Sequence, residues 1–144
     1  MNASLLTLTD ATPSHFAAIV AIERELGSGS VVALTEGLAL DEAVHRGHYL
    51  TVALSDDDVA GWIWFHVEIG RDGEEVGHVF RLSVRRANRR CGVGRTLVEY
   101  ARETLKQRGC TKMRTTVDGA DEAARAFFEQ TGFTIDAVVM ERAL

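Results

Sequence analysis

Apolar and polar positions alternate with two different periods along this chain, and the switches between them mark its elements. Leu5, Leu6 and Leu8 open a short strand. Thr12 and Pro13 then start a helix: a capping hydroxyl, followed by a residue with preset φ where no N–H is needed. Phe16, Ile19, Val20 and Glu23 follow at helical spacing, and Gly27 ends the run. Gly27-Ser28-Gly29-Ser30 reads as a connector inside one domain, because what precedes it is too short to fold alone. Leu38 to His45 predicts a second short helix, closed by Gly47.

From there the period is that of strands. Tyr49 to Leu54 predicts one, Ser55 to Asp58 a turn, and Val59 to Val67 another, rich in Trp62, Ile63, Trp64 and Phe65. Gly70 to Glu75 turns again, and Val76 to Val84 predicts a third strand, so the three read as an antiparallel meander. Gly94 to Arg108 carries the strongest helical pattern. Leu97, Val98, Ala101 and Leu105 form its apolar stripe, Arg95, Arg102, Lys106 and Arg108 its wet side, and Gly109 its cap. Lys112 to Val117 predicts a strand, Asp121 to Thr131 a helix capped by Gly132, and Val138 to Leu144 a last strand. A helix between strands requires a crossover, hence some parallel pairing. The pattern predicts one mixed α/β domain over residues 1–144, with six to seven strands and about four helices.

Composition narrows the function classes. A chain of 144 residues with 46% hydrophobic content can bury a core without staples. A net charge of −5 speaks against a general nucleic-acid binder. Cys91 and Cys110 are too few for a disulfide framework, and they read as reduced thiols in a cytoplasmic protein. Met1-Asn2-Ala3-Ser4 does not resemble a signal peptide, and no run approaches the roughly 20 apolar residues of a membrane span.

Chemistry concentrates between Val79 and Arg95. A strand ends near Val84, a basic loop follows, and Gly92 and Gly94 lead into the strong helix. The free N–H groups and dipole of a helix start favour an anion. Glycines let the backbone approach closely and take positive φ. Arg85, Arg86, Arg89, Arg90 and Arg95 add charge at the same place, a combination that suits a pyrophosphate. The bland alternative is a helix start with solvated arginines. A P-loop would need Gly-Lys-Ser/Thr, whereas the chain has Gly94-Arg95-Thr96 after too short a loop. A dinucleotide fingerprint would need a third glycine, and position 97 is Leu.

Arg89-x-x-Gly92-x-Gly94, preceded by Leu82-Ser83-Val84, resembles the Arg/Gln-x-x-Gly-x-Gly/Ala motif and signature strand of the GNAT superfamily of N-acetyltransferases. Ala124-x-x-Phe127-Phe128-x-x-x-Gly132-Phe133 is similar to that family's second motif. The resemblance implies a GNAT-like fold, acetyl-CoA as cofactor and an amine acceptor. It implies that the backbone at Leu82, Ser83 and Val84 meets the pantetheine arm. Amides among Arg89, Arg90, Cys91, Gly92, Val93, Gly94 and Arg95 would hold the pyrophosphate, and an N–H near Leu82 would serve the oxyanion. Asp121 stands where the family has Asn; it lies beside the cofactor or simply caps the last helix. Phe128 stands where the family has a general-acid Tyr and cannot donate a proton, and Thr116 stands where some members have a Glu base. A thiol with a reference pKa of about 8.5 can still leave as thiolate.

An alkylammonium, with pKa about 10.4, must lose a proton before it attacks a carbonyl. His78 occupies a position where some members of the family carry a catalytic Glu; strict alternation places it on one face with Phe80, Leu82 and Val84. It reads as the general base or as an ordinary half-buried histidine. Glu75 is an outside candidate. His66 and Glu68 line the acceptor site or face solvent, and one of Trp62 and Trp64 belongs to the core, the other to an acceptor wall. Glu23 and Glu25 attract a cationic amine or are solvated helix charges. The expectation is an acyltransferase working by direct transfer in a ternary complex, with no metal, no nucleic-acid or membrane partner, and a homodimer allowed through the last strands. The alternative is a catalytically weak CoA-binding or sensing module.

Overall fold

The computed structural model describes residues 6–27 and 47–144. The elements are β1 (Leu6–Asp10), α1 (Pro13–Glu25), β2 (Tyr49–Ser55), β3 (Asp58–Ile69), β4 (Glu75–Val84), a 3-10 turn (Arg86–Asn88), α2 (Val93–Gln107), β5 (Lys112–Thr115) and α3 (Glu122–Gln130). Leu5, the Ser28–Ser30 connector and the expected helix from Leu38 to His45 lie outside the described residues.

One sheet runs in the order β1-β2-β3-β4-β5. The first four strands pair antiparallel; β5 joins β4 in parallel after the α2 crossover. The described residues thus hold five strands and three α-helices, not six to seven strands and four helices. The expected last strand does not form. Val138, Val139 and Met140 are 77%, 84% and 89% exposed, and no ladder reaches them. β-branched residues make a strand only when a neighbour takes their backbone groups.

The two faces of the sheet bury different things. On one, Val93, Leu97, Ala101 and Leu105 of α2 lie on Ala53, Ile63, Phe65 and Val79. Gly77 makes the close approach possible: a Cβ there would collide with the Leu105 side chain. On the other face, Ile19 and Ile22 of α1 pack on Leu50, Val52 and Trp62. α1 starts at the predicted place, with the Thr12 N–H donating to His15 Nδ1 at 3.0 Å.

Strand β4 departs from strict alternation. Trp64 pairs with Arg81 and Phe65 with Val79, so Phe80 is an extra residue, a bulge. Beyond it the faces exchange. His78, Arg81 and Ser83 stand opposite His66, Trp64 and Trp62 on the α1 face, while Val79, Leu82 and Val84 pack toward α2. The expectation that His78 shares a face with Leu82 and Val84 is therefore corrected. The Phe80 ring meets Trp64 and His66, so it too lies on the α1 side.

Candidate active site

Pairing between β4 and β5 stops at Val79 and Thr115, yet β4 runs on to Val84. From Phe80 onward, β4 therefore has no paired strand on its β5 side among the described residues. Arg85 donates its N–H to the Ala60 carbonyl at 2.9 Å, toward β3. Two-residue alternation then aims the peptide groups of Leu82 and Val84 at the open side. Ser83 differs: its main chain turns to Trp62 on β3, and its buried hydroxyl has no hydrogen-bond partner among the described residues. Of the three expected strand positions, Leu82 and Val84 offer groups to the gap and Ser83 does not.

The open edge leads into the basic loop. Arg90 has φ of 63° and Gly92 has φ of 79° at the N-cap of α2. The first helical N–H to find an acceptor is that of Thr96, to the Gly92 carbonyl at 3.0 Å. Val93, Gly94 and Arg95 thus keep the unclaimed N–H groups of a helix start. A Cβ at Gly92 would meet nothing within 4 Å among the described residues, so glycine's small size is not what packing requires there. Arg89, Arg90 and Arg95 are exposed around it. Cys91 is half-buried, its thiol directed at the Arg89 carbonyl at 3.5 Å. Gly94 has a different reason from the expected one. It is helical, and an added Cβ would sit 3.1 Å from the Phe127 ring of α3. Its hydrogen admits that ring.

Asp121 caps α3, accepting the Ala124 N–H at 3.0 Å. Phe128 is half-buried, with ring centroids 5.2 Å from both Phe127 and Phe133. Glu25 reaches the loop and accepts the Arg86 N–H at 3.2 Å.

The α1 face carries the ionisable groups. Glu23 is fully buried; Trp62 donates to its Oε1 at 2.7 Å, and Arg81 to its Oε2 at 2.8 and 3.0 Å. It is neither a solvated helix charge nor open to an amine. Two signals in the sequence pointed there: an acid on an apolar helical stripe and an Arg inside an apolar strand. Trp62 is core, whereas half-buried Trp64 donates to His48 Nδ1 at 2.9 Å. His48, which had no sequence signal, joins Trp64, His66, His78 and Phe80 in a ring cluster with centroids 4.4–6.2 Å apart.

His78 Nδ1 lies 2.9 Å from Glu68 Oε1. His66 Nε2 is 4.0 Å from Glu68 Oε2, beyond hydrogen-bond reach. Burial pushes the His66 pKa down, and the neighbouring His48 and His78 add to the effect against the opposing pull of Glu68. Glu75 sits at the start of β4, exposed and far along the strand from the open edge. Among the described residues no group of three or more His, Cys, Asp or Glu is placed to hold a metal ion.

Among the described residues, an unpaired stretch of β4 thus runs into a glycine-turned helix start. The profile of the acetyltransferase (GNAT) family matches residues 16–133. The chain belongs to this family. A chain described as an uncharacterized N-acetyltransferase, YycN, of Bacillus subtilis (strain 168) is 26% identical over 97 residues, 67% of this GNAT chain and 62% of its own length. Mycothiol acetyltransferase of Kocuria rhizophila is 33% identical over 90 residues, 61% of this chain and 30% of that one. The match thus spans less than two thirds of either relative. Among solved structures, a transcriptional regulator from Bacillus halodurans C-125 superposes with TM-score 0.84 at 22% identity, covering 97% of this chain and 100% of its own. An acetyltransferase of Trypanosoma brucei gives 0.76 at 21%, with 97% and 100% covered. At such identities the likeness is one of fold. No helix among the described residues is long and apolar enough to cross a membrane.

Proposed function

We propose that this GNAT chain transfers an acetyl group from acetyl-CoA to a primary amine, by direct attack within a ternary complex. The observation that supports it most is the free β4 edge at Leu82 and Val84, continuous with the unclaimed N–H groups of Val93, Gly94 and Arg95. In this reading Leu82 and Val84 receive an extended, amide-bearing arm as they would an added strand. The backbone from Arg89 to Arg95 holds a diphosphate, with Cys91 contributing its amide and Gly92 its open turn. Asp121 and Phe128 stand at the far wall, on the helix whose Phe127 docks against Gly94. The thioester supplies an activated acyl group.

The chain's own residues do three things in this scheme. The Leu82 N–H, aimed at the gap, is the donor for charge developing on the acyl oxygen. The ring cluster around Trp64 and Phe80 walls the acceptor from water. His78 takes a proton from the acceptor, as the general base. Overall, an ammonium and a thioester become an amide, a thiol and a released proton. With Phe128 in place of a phenol, the sulfur leaves as thiolate or is protonated by water. The alternative, a weak CoA-binding or sensing module, is disfavoured by membership of an acetyltransferase family.

The same reading includes self-association, supported by exposed Ile135, Val138, Val139 and Met140, and a cytoplasmic setting, supported by Cys91 and Cys110, neither of which is in a disulfide. Sedimentation tests the first.

Calorimetry with CoA tests the cofactor site. Reversing Arg90 and Arg95 to Glu is expected to weaken binding by about tenfold or more, since each adds a like charge beside the phosphates. No CoA uptake by the folded wild type, or an unchanged affinity in the double variant, overturns the assignment. Thiol release across a panel of amines then tests turnover.

A further inference from the structure

We propose that Glu68 is the positioning residue for His78. Its carboxylate holds the imidazole through Nδ1–H, so that Nε2 is the nitrogen that accepts the acceptor's proton. This rests on the functional reading above, which names His78 as the base but gives Glu68 no part.

The geometry follows from the sheet. Glu68 pairs in register with Val76, and His66 with His78, so Glu68 and His78 are diagonal neighbours on the α1 face. The 2.9 Å contact joins Nδ1 to Oε1. An ionised carboxylate only accepts hydrogen bonds, so the proton of the neutral ring sits on Nδ1 and the lone pair on Nε2. When an ammonium meets Nε2, its N–H bond breaks and the electron pair stays on the amine nitrogen. The Nε2 lone pair forms the new N–H bond. One positive charge moves onto an imidazole that already faces a carboxylate, and no other reactant is needed.

The surroundings favour this division of labour. Glu68 is 43% exposed and makes its hydrogen bond to His78, while His66 stays 4.0 Å away. Among the described residues, the groups around His78 are Glu68, His66 and Phe80, with His48 behind His66, and Arg114, its register partner on β5, whose nearest carboxylate is Asp136 at 3.7 Å. His66, held toward its neutral form by burial and its neighbours, adds no competing charge. Glu23 takes no part, because Arg81 and Trp62 occupy both its oxygens. The Phe80 bulge is what places His78 on this face rather than with Leu82, since it reverses the alternation between them.

The first test reads the ring directly and needs no turnover. In ¹⁵N spectra of the neutral His78 imidazole, wild type is expected to show the Nδ1–H form, and Glu68→Ala to lose it. The second test is kinetic. Glu68→Ala is expected to lower kcat about 10- to 100-fold, the usual cost of removing a carboxylate that orients a working histidine. CoA affinity should stay unchanged, and Glu68→Asp should recover part of the rate. His78→Gln should lose about a hundredfold or more. An Nε2–H wild-type ring, a tautomer indifferent to Glu68→Ala, or full kcat in either the Glu68→Ala or the His78→Gln variant overturns the proposal. A wild type that takes up no CoA overturns the functional reading instead, and the ring spectra tell the two failures apart.

Discussion

Glu23 and Glu68 both reach β4 from the α1 side of the sheet, yet they end in opposite states. Glu23 is fully buried and its two oxygens accept three hydrogen bonds, from Trp62 and from two nitrogens of Arg81. Glu68 is 43% exposed and holds one imidazole nitrogen. A buried carboxylate must be matched in full, because water is not there to solvate what is left over. Glu23 thus ties α1 to β3 and β4 and is spent in doing so. Glu68 keeps contact with water, so water can solvate the lone pairs that His78 does not use. Two identical side chains on one face thus differ in burial, and the proposed positioning of His78 uses the one that stays wet.

If that contrast is right, removing each acid should cost different things. The largest effect is expected for Glu23→Ala, which removes the buried carboxylate to which both Arg81 and Trp62 donate. Urea unfolding should show a loss of about 3 kcal/mol, the low end for breaking a buried pair, since Arg81 is itself 29% exposed. A loss near zero would mean that Glu23 does not tie the helix down. Next comes a calibration on the opposite face, where packing alone acts. Gly77→Ala drives a methyl into Leu105 and should cost about 1–3 kcal/mol by the same measurement. An unchanged midpoint would show that α2 can move aside freely. Glu68→Ala should cost less than about 1 kcal/mol, as expected for an exposed pair, while still impairing turnover. A large loss of stability there would erase the distinction between the two acids.

The smallest effect concerns pH. The folded protein holds His66 below its ordinary range of about 6.5, so as pH falls the unfolded chain takes up that proton first. Stability contributed by the neutral ring is complete above the unfolded value and declines as pH drops below it. Replacing His66 with Gln should flatten the acid side of a stability-versus-pH curve between about pH 7 and 5. Curves that run parallel would show that the ring's burial has no energetic consequence.

Much of the architecture was legible in the order of residues. The helix expected from Gly94 to Arg108 is found at Val93–Gln107, and the strand expected at Val59–Val67 at Asp58–Ile69. Apolar periodicity is local and survives in any environment that buries one face. The glycine turn before α2 was legible for the same reason, since Arg89, Gly92 and Gly94 lie within one turn and one helix start. The purpose of Gly94 was not: a small residue records that something comes close, and only the packed chain shows it to be Phe127.

The side on which His78 stands could not be read from its own strand. The Phe80 bulge arises from how β4 pairs with β3, and one unpaired residue exchanges the faces of everything beyond it. The fate of Glu23 depended likewise on Arg81, 58 residues away, and on Trp62, 39 residues away. The order of residues laid down elements and the glycine turn before α2, because those depend on neighbours within a few positions. Pairing and burial between distant segments chose which acid became a staple and which imidazole met a carboxylate, because hydration and register belong to the assembled sheet and not to any one strand.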